Sequence, residues 1–300
     1  MGDGKNEGEE QRGMRMLAAV CLTAPRRRWL SRRRRPPEVR AEFVPAGSGR
    51  YVKITAETGK DGAPDWSAIR RTAGREAGRL LLPGGLVPPP DSRVGRFAGA
   101  ALDRRLMENA GVALLQAVGM HPRLVQVGVY DPQGVCPELP LRFLPLAADV
   151  RVCTRRPDRY ARSRFVAMER FGAALTVADA PSALTGSLLL LAPSGLPDPV
   201  GVPSAKGLAL VVPPPGAPPV RSIRAEKGTA DGYRPRIPPA LAAACPPGCE
   251  VEGFLAGLYE LSGVKELAEG PPEFLRIDGR RMSLKDAAWR LAGLDIGISV

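Results

Sequence analysis

Histidine is nearly absent from this chain. His121 is the only one in 300 residues, and it stands before Pro122 without a serine, cysteine or aspartate motif that would make it the base of a nucleophilic triad. Long apolar runs are missing as well. The stretch from Met16 to Ala24 is too short to span a bilayer, and its basic cluster follows it where a secretory signal would place that cluster in front. A soluble protein with no membrane partner is expected. Cysteine is sparse and odd in number, at positions 21, 136, 153, 245 and 249, without the spacing of a disulfide framework, which fits a cytoplasmic location under reducing conditions. Cys245-Pro246-Pro247-Gly248-Cys249 has a spacing able to hold zinc, but no second pair of cysteines completes a tetrahedral site, so no metal is expected. No internal repeat is present.

What is abundant is arginine, proline and glycine. The formal charge is +12, a value that suggests nucleic acid or another anionic partner until its distribution is read. Between Arg12 and Arg40 lie ten arginines against Glu38 alone, while Met1 to Gln11 is acidic, so about half of the net charge remains for residues 41–300. Residues 1–40 show no period of 2 or 3.6 and read as a disordered, Arg-rich arm. If nucleic acid is a partner, it is through Arg26 to Arg35, where Trp29 sits between basic clusters and can stack on a base. The 32 prolines and 34 glycines imply many turns and stiff connections.

Residues 41–120 read as an N-terminal α/β unit. Tyr51 to Ala56 alternates as a strand, Asp65 can cap a helix on which Trp66, Ile69 and Ala73 share a face, and Leu80 to Leu82 is a short buried strand. A helix from about Gly99 to Val118 follows. Residues 121–213 hold the clearest pattern, with strands at Leu124–Tyr130, Val150–Cys153, Ala174–Val177, Leu188–Leu191 and Leu208–Val212. Between the second and third, Pro157 suits a first helical residue, Ala161, Phe165 and Met168 stack on one side, and Gly172 can close the helix. Three prolines between the first two strands keep any helix there short or bent. Crossovers of this length imply a parallel sheet. Residues 214–239 read as a Pro-rich linker and residues 240–300 as a small helical C-terminal region, with helices near Ala240–Ala244 and Val251–Ser262, a strand at Phe274–Ile277, and Ser283 and Asp286 forming a capping pair for the last helix. The expected fold class is α/β: a Rossmann-like parallel sheet with an N-terminal α/β unit and a small helical C-terminal region.

The loop after the first central strand reads Asp131-Pro132-Gln133-Gly134. A dinucleotide-binding loop carries three glycines there so that backbone and helix N-terminus approach a pyrophosphate; here Gly134 stands alone. After the second strand, Thr154-Arg155-Arg156 occupies the place where an acid grips a ribose or an arginine accepts a 2′-phosphate. Over about 90 residues this pattern resembles the NADP-binding domain of the shikimate dehydrogenase and glutamyl-tRNA reductase families, whose second strand often ends in a polar residue followed by arginine. The resemblance implies NADP as cofactor, with Asp131, Gly134, Thr154, Arg155 and Arg156 around it and the two arginines on its phosphate. The N-terminal unit lacks the lysine and aspartate pair that the shikimate dehydrogenase group uses for proton transfer. Val129-Tyr130-Asp131-Pro132-Gln133-Gly134-Val135 also looks like motif one of the haloacid dehalogenase family, which implies Asp131 as a nucleophile and Thr154 as a phosphate-binding hydroxyl. Gln133 stands where that family has its general acid/base, and no later aspartate pair is placed to hold magnesium.

Each enzymatic reading thus lacks a residue its chemistry needs. The leading expectation is a degenerate Rossmann-like scaffold that binds a small ligand or a protein without catalysis. An NADP-dependent oxidoreductase is the alternative, and a phosphohydrolase the second.

Overall fold

The computed structural model describes residues 15–24, 38–59, 62–195, 204–214 and 225–293. Two compact units emerge. The first comprises residues 1–102 with 237–267, the second 103–236 with 268–300.

In the first unit three strands form one sheet: β1 (Ala18–Thr23), β2 (Val39–Ala46) and β3 (Gly49–Glu57), in the order β1-β3-β2. β1 runs parallel to β3, and β2 pairs with β3 antiparallel. Ala18, Val20, Ile54 and Ala56 turn one face of the sheet toward helix α1 (Trp66–Ala73), where Ile69 is fully buried and Trp66 and Ala73 pack beside it. Asp65 caps α1 by accepting from the Ala68 N–H at 3.0 Å. Leu80 to Leu82 lies extended and bridges β1 through reciprocal backbone bonds between Val20, Leu81 and Ala18. The expected strand and capped helix are therefore present. The expected arm of residues 1–40 is corrected in part: its apolar centre is β1, which gains a ladder partner in β3 that a short run without period cannot announce. The Arg26–Arg35 cluster lies outside the described residues.

Helices α4 (Pro239–Ala243) and α5 (Val251–Leu261) return to this first unit after two helices of the second. Phe254 of α5 meets Tyr51 of β3 edge to face, ring centroids 5.0 Å apart, an arrangement favoured by the ring quadrupoles.

The second unit is built on an eight-stranded sheet. Its strands are β4 (Gln126–Tyr130), β5 (Asp149–Cys153), β6 (Thr176–Ala178), β7 (Leu189–Ala192), β8 (Leu208–Val211), β9 (Thr229–Arg234), β10 (Phe274–Ile277) and β11 (Arg280–Ser283). The order is β11-β10-β9-β8-β7-β4-β5-β6. From β6 to β9 every neighbour is parallel, and β10 and β11 add an antiparallel edge. The central strands β7 and β8 are buried at every position, as parallel strands covered on both faces must be. Helices α2 (Ala101–Val118, from Asp103 onward within this unit), α3 (Ala161–Phe171) and α6 (Leu284–Leu291) accompany the sheet. Counted from β4, the parallel strands run in space as 3-2-1-4-5-6, the dinucleotide-fold order, whose switch point lies between β4 and β7. The fold class is α/β with a Rossmann-like, mostly parallel sheet.

Four expectations are revised. The stretch read as linker contains β9, and the region read as a helical C-terminus is divided: residues 237–267 belong to the first unit, while β10, β11 and α6 complete the second. The boundary expected near residue 120 falls at Leu102, before most of α2. On α3 the face is turned. Phe165 and Met168 are 66% and 59% exposed, whereas Tyr160, Ser163 and Ala167 are buried. Tyr160, Ser163 and Ala167 follow the i, i+3, i+7 spacing of one helical face, and the phase is set by the Tyr160 hydroxyl, which donates to the buried Asp131 carboxylate at 2.7 Å. Gly172 closes α3 with φ +60 as expected, and Ser283 caps α6 through the Asp286 N–H at 3.1 Å.

Candidate functional site

The carboxyl ends of β4, β5 and β7 bring the expected residues to one edge of the sheet. In open α/β sheets this edge, at the switch point, is where ligands sit. Asp131 follows β4 directly and Thr154 follows β5. Both are buried, at 0% and 1% exposure. The Asp131 N–H donates to the Cys153 carbonyl (3.0 Å), and the Arg155 N–H to the Pro132 carbonyl (3.2 Å), so the two loops are laced together.

The β4 loop closes on its own aspartate. Oδ1 of Asp131 accepts from the Val135 N–H at 3.0 Å, and Oδ2 accepts from the Cys136 N–H at 2.8 Å and from the Tyr160 hydroxyl at 2.7 Å. The Gly134 N–H donates to the Asp131 carbonyl. Pro132 has no N–H to give. A buried carboxylate with three donors is satisfied as a charge-assisted acceptor, and it perturbs its neighbours. Burial first, and then the Asp131 charge, push the Cys136 thiol up to about 12. The same two causes, with the hydrogen bond added, push the Tyr160 phenol far above its ordinary value.

After β4 the chain makes only a 3-10 turn, Leu139–Arg142, with Pro140 at its start. The α-helix N-terminus that carries diphosphate in a dinucleotide fold has no counterpart among the described residues of this connection. Gly134 has φ +63, a left-handed conformation suited to glycine. A side chain there would meet Arg159, whose Cδ would lie 2.8 Å from the added Cβ, and the Arg159 guanidinium donates to the Gly134 carbonyl at 3.2 Å.

The β5 loop is different. Thr154 Oγ1 accepts from the Arg156 N–H at 3.0 Å and shapes the turn. Arg156 pairs with Asp158 at 3.2 Å, both side chains open to solvent. Arg155 is exposed and forms no ion pair among the described residues. Two guanidinium groups therefore stand at the rim while the hydroxyl beneath them is engaged.

Four contributors escaped the sequence reading. Tyr160 and Arg159 lie in the turn before α3 and reach back to the β4 loop. Arg104, on α2, donates to the carbonyl of Pro193 just past β7 at 3.0 Å, and its charge is felt at the Cys136 thiol. Ser194, in the same turn, has a hydroxyl without a hydrogen-bond partner among the described residues. Only the Tyr160 spacing to Ser163 and Ala167 left a trace in the sequence; the others are joined by topology alone.

No family model matches the chain, and no curated protein does. Among solved structures, L-tryptophan dehydrogenase from Nostoc punctiforme is similar at 11% identity, covering 93% of this chain and 80% of that one, with a TM-score of 0.31. Δ1-pyrroline-2-carboxylate reductase from Thermococcus litoralis, solved with NADH and L-proline, is similar at 11% identity over 53% of this chain, with a TM-score of 0.27. The match spans 42% of the reductase's length.

Among the described residues no group of three or more histidine, cysteine, aspartate or glutamate side chains is placed to hold a metal ion, and no helix is long and apolar enough to cross a membrane. Cys249 donates to the Val20 carbonyl and Cys245 to that of Cys249, contacts of a folded loop. Asp131 is 0% exposed and its carboxylate is held by Val135, Cys136 and Tyr160, so it is turned toward its own loop and not toward solvent, unlike the nucleophile that the dehalogenase-like motif implies.

Proposed function

We propose that this protein binds a nucleotide-class anionic ligand at the carboxyl edge of its Rossmann-like sheet, with NADP as the ligand to test first and oxidoreduction as the associated activity. The observation that carries this reading is the strand order. Six parallel strands in the 3-2-1-4-5-6 arrangement put a topological switch point between β4 and β7, and Arg155 and Arg156 follow the second strand, where a 2′-phosphate is accepted in such folds. The finer kinship to shikimate dehydrogenase is part of this proposal and rests on the same residues.

A second reading, a ligand- or protein-binding scaffold without catalysis, is favoured by a specific feature: the β4 loop has engaged its amides internally. Titration with NADPH followed by its fluorescence separates the two. Saturable binding, weaker for NADH and weakened by Arg155→Ala with Arg156→Ala, is the expected result. No binding at millimolar NADPH removes the oxidoreductase and leaves the scaffold.

A further inference from the structure

The first unit contains a cavity of about 690 Å³ that has no part in the sheet edge described above. One wall is α1. Trp66, Arg70 and Gly74 follow i, i+4, i+8 spacing and so lie along one stripe of the helix and its cap, with Arg71 beside them. Gly74 closes the helix at φ +56 and keeps that end of the cavity free of a side chain. The other wall is the 3-10 turn Pro90–Ser92, which contributes Asp91 and Ser92.

Most polar side chains here are used by the fold itself. Arg71 donates to the Ser67 hydroxyl at 3.3 Å, and that hydroxyl donates to the capping Asp65 at 2.7 Å. The Ser92 hydroxyl donates to the Pro89 carbonyl at 2.6 Å and accepts from the Val94 N–H at 3.2 Å. Arg70 and Asp91 differ. Both are exposed and both line the cavity, yet among the described residues neither side chain has an ion-pair partner, and they do not pair with each other. A cation on one wall and an anion on the other, too far apart to meet, leave a gap with one charge of each sign at its borders. Trp66 adds an apolar surface, half-buried because it packs on the Ile69 core while lining the cavity.

We propose that this cavity binds a small zwitterion carrying a planar apolar group, the chemistry of an aromatic α-amino acid, with its carboxylate on Arg70, its ammonium on Asp91 and its ring against Trp66. The charges decide the class. A pure anion gains at Arg70 and is repelled by Asp91, a pure cation does the reverse, and only a molecule with both charges satisfies the two walls together. A guanidinium takes a carboxylate through two parallel N–H bonds, and an indole favours a second ring stacked with an offset or edge to face. The volume falls within the range of small-molecule sites, about 300–1,000 Å³. The site is independent of the nucleotide reading, since it lies in the other unit and shares no residue with the sheet edge.

The test titrates the full-length protein with L-phenylalanine, its amide and its N-acetyl derivative at about pH 6, where a free α-amine is protonated, followed by saturation-transfer NMR of the ligand protons. L-Phenylalanine is expected to bind on the order of tenfold or more tighter than either derivative, about 1.4 kcal/mol or more, because the amide has no carboxylate for Arg70 and the acetyl compound no ammonium for Asp91. Arg70→Gln is expected to erase the advantage over the amide alone, and Asp91→Asn the advantage over the acetyl compound alone. L-Alanine, with both charges and no ring, is expected to bind more weakly than L-phenylalanine.

Absence of L-phenylalanine binding at millimolar concentration overturns the proposal, as does equal binding of the three phenyl compounds by the parent protein. Unchanged ratios in variants that keep the parent's far-ultraviolet circular dichroism also overturn it; if a variant does not fold, the series on the parent decides. Parity of L-alanine with L-phenylalanine overturns the planar-group assignment. Loss of L-phenylalanine binding in Arg155→Ala with Arg156→Ala, with Arg70→Gln silent, places the amino acid at the sheet edge and overturns the cavity.

Discussion

The loops after β4 and β5 leave the same edge of one sheet from adjacent, in-register strands, yet they use their polar groups in opposite ways. The β4 loop gathers its donors around the Asp131 carboxylate and buries the arrangement. The β5 loop buries one hydroxyl, Thr154, to fix its turn, and leaves two arginines at the surface. A polar group that has been desolvated and satisfied specifies conformation, whereas one that remains hydrated is available to a ligand. The difference separates structural polarity from candidate binding polarity within a span of about 25 residues, and it does so without any change of fold.

The strongest way to break this contrast is Asp131→Ala. Removing the carboxylate strips the acceptor from the Val135 and Cys136 amides and the Tyr160 hydroxyl. Each donor left unsatisfied costs about 1–3 kcal/mol, so a large fall in the urea midpoint is expected. A midpoint close to that of the parent would show that water replaces the carboxylate and that the loop is not closed by it. Tyr160→Phe removes one of the three donors and is expected to cost about 1.5–3 kcal/mol, the usual range for a hydrogen bond to a charged group. Because Tyr160 also sets the phase of α3, faster amide exchange along Ser163 to Ala167 should accompany the loss.

Smaller effects sharpen the β5 side. Thr154→Val deletes the acceptor of the Arg156 amide and should cost about 1 kcal/mol. Arg155→Ala should leave stability within about 0.5 kcal/mol of the parent, its effect appearing in anion affinity alone; a clear stability loss would mean that Arg155 is structural, like its neighbour across the edge. Alkaline pH is expected to act on the β4 side through Cys136. The Cys136 thiol is raised from 9.0 to about 12 in the folded protein, so its neutral form is favoured by folding. That contribution is fully present below about pH 9 and is lost as pH rises toward 12. Replacement of Cys136 by Ala should therefore reduce the alkaline slope of stability, measured as urea midpoint against pH.

Much of the fold was legible in short patterns. The apolar runs of the central strands, the Asp65 and Ser283 caps and the Gly172 terminus each act through residues within a few positions of one another. Their outcome is fixed by local backbone chemistry and burial. Less was legible where a partner is distant. β1 sits inside a segment that reads as a charged arm because its pairing with β3 lies more than thirty residues away. β9 lies among prolines, and it joins the sheet by pairing with β8 and β10 across long connections. The buried face of α3 departs from its apolar pattern for a related reason. Phe165 and Met168 are the larger apolar side chains, but a single buried hydrogen bond from Tyr160 orients the helix, and hydrophobicity alone does not register it.

The amino-acid sequence by itself determined the five strands from β4 to β8 and the helix between β5 and β6, the parallel run of those strands, and the placement of Asp131, Thr154, Arg155 and Arg156 after β4 and β5, since hydrophobic period, cap chemistry and crossover length are local properties. Only the tertiary structure decided what those residues are free to do. Whether Asp131 faces a ligand or its own backbone depends on Val135, Cys136 and Tyr160 converging on one carboxylate, and the burial that makes such convergence favourable exists only once β4, β5 and the turn before α3 have packed together.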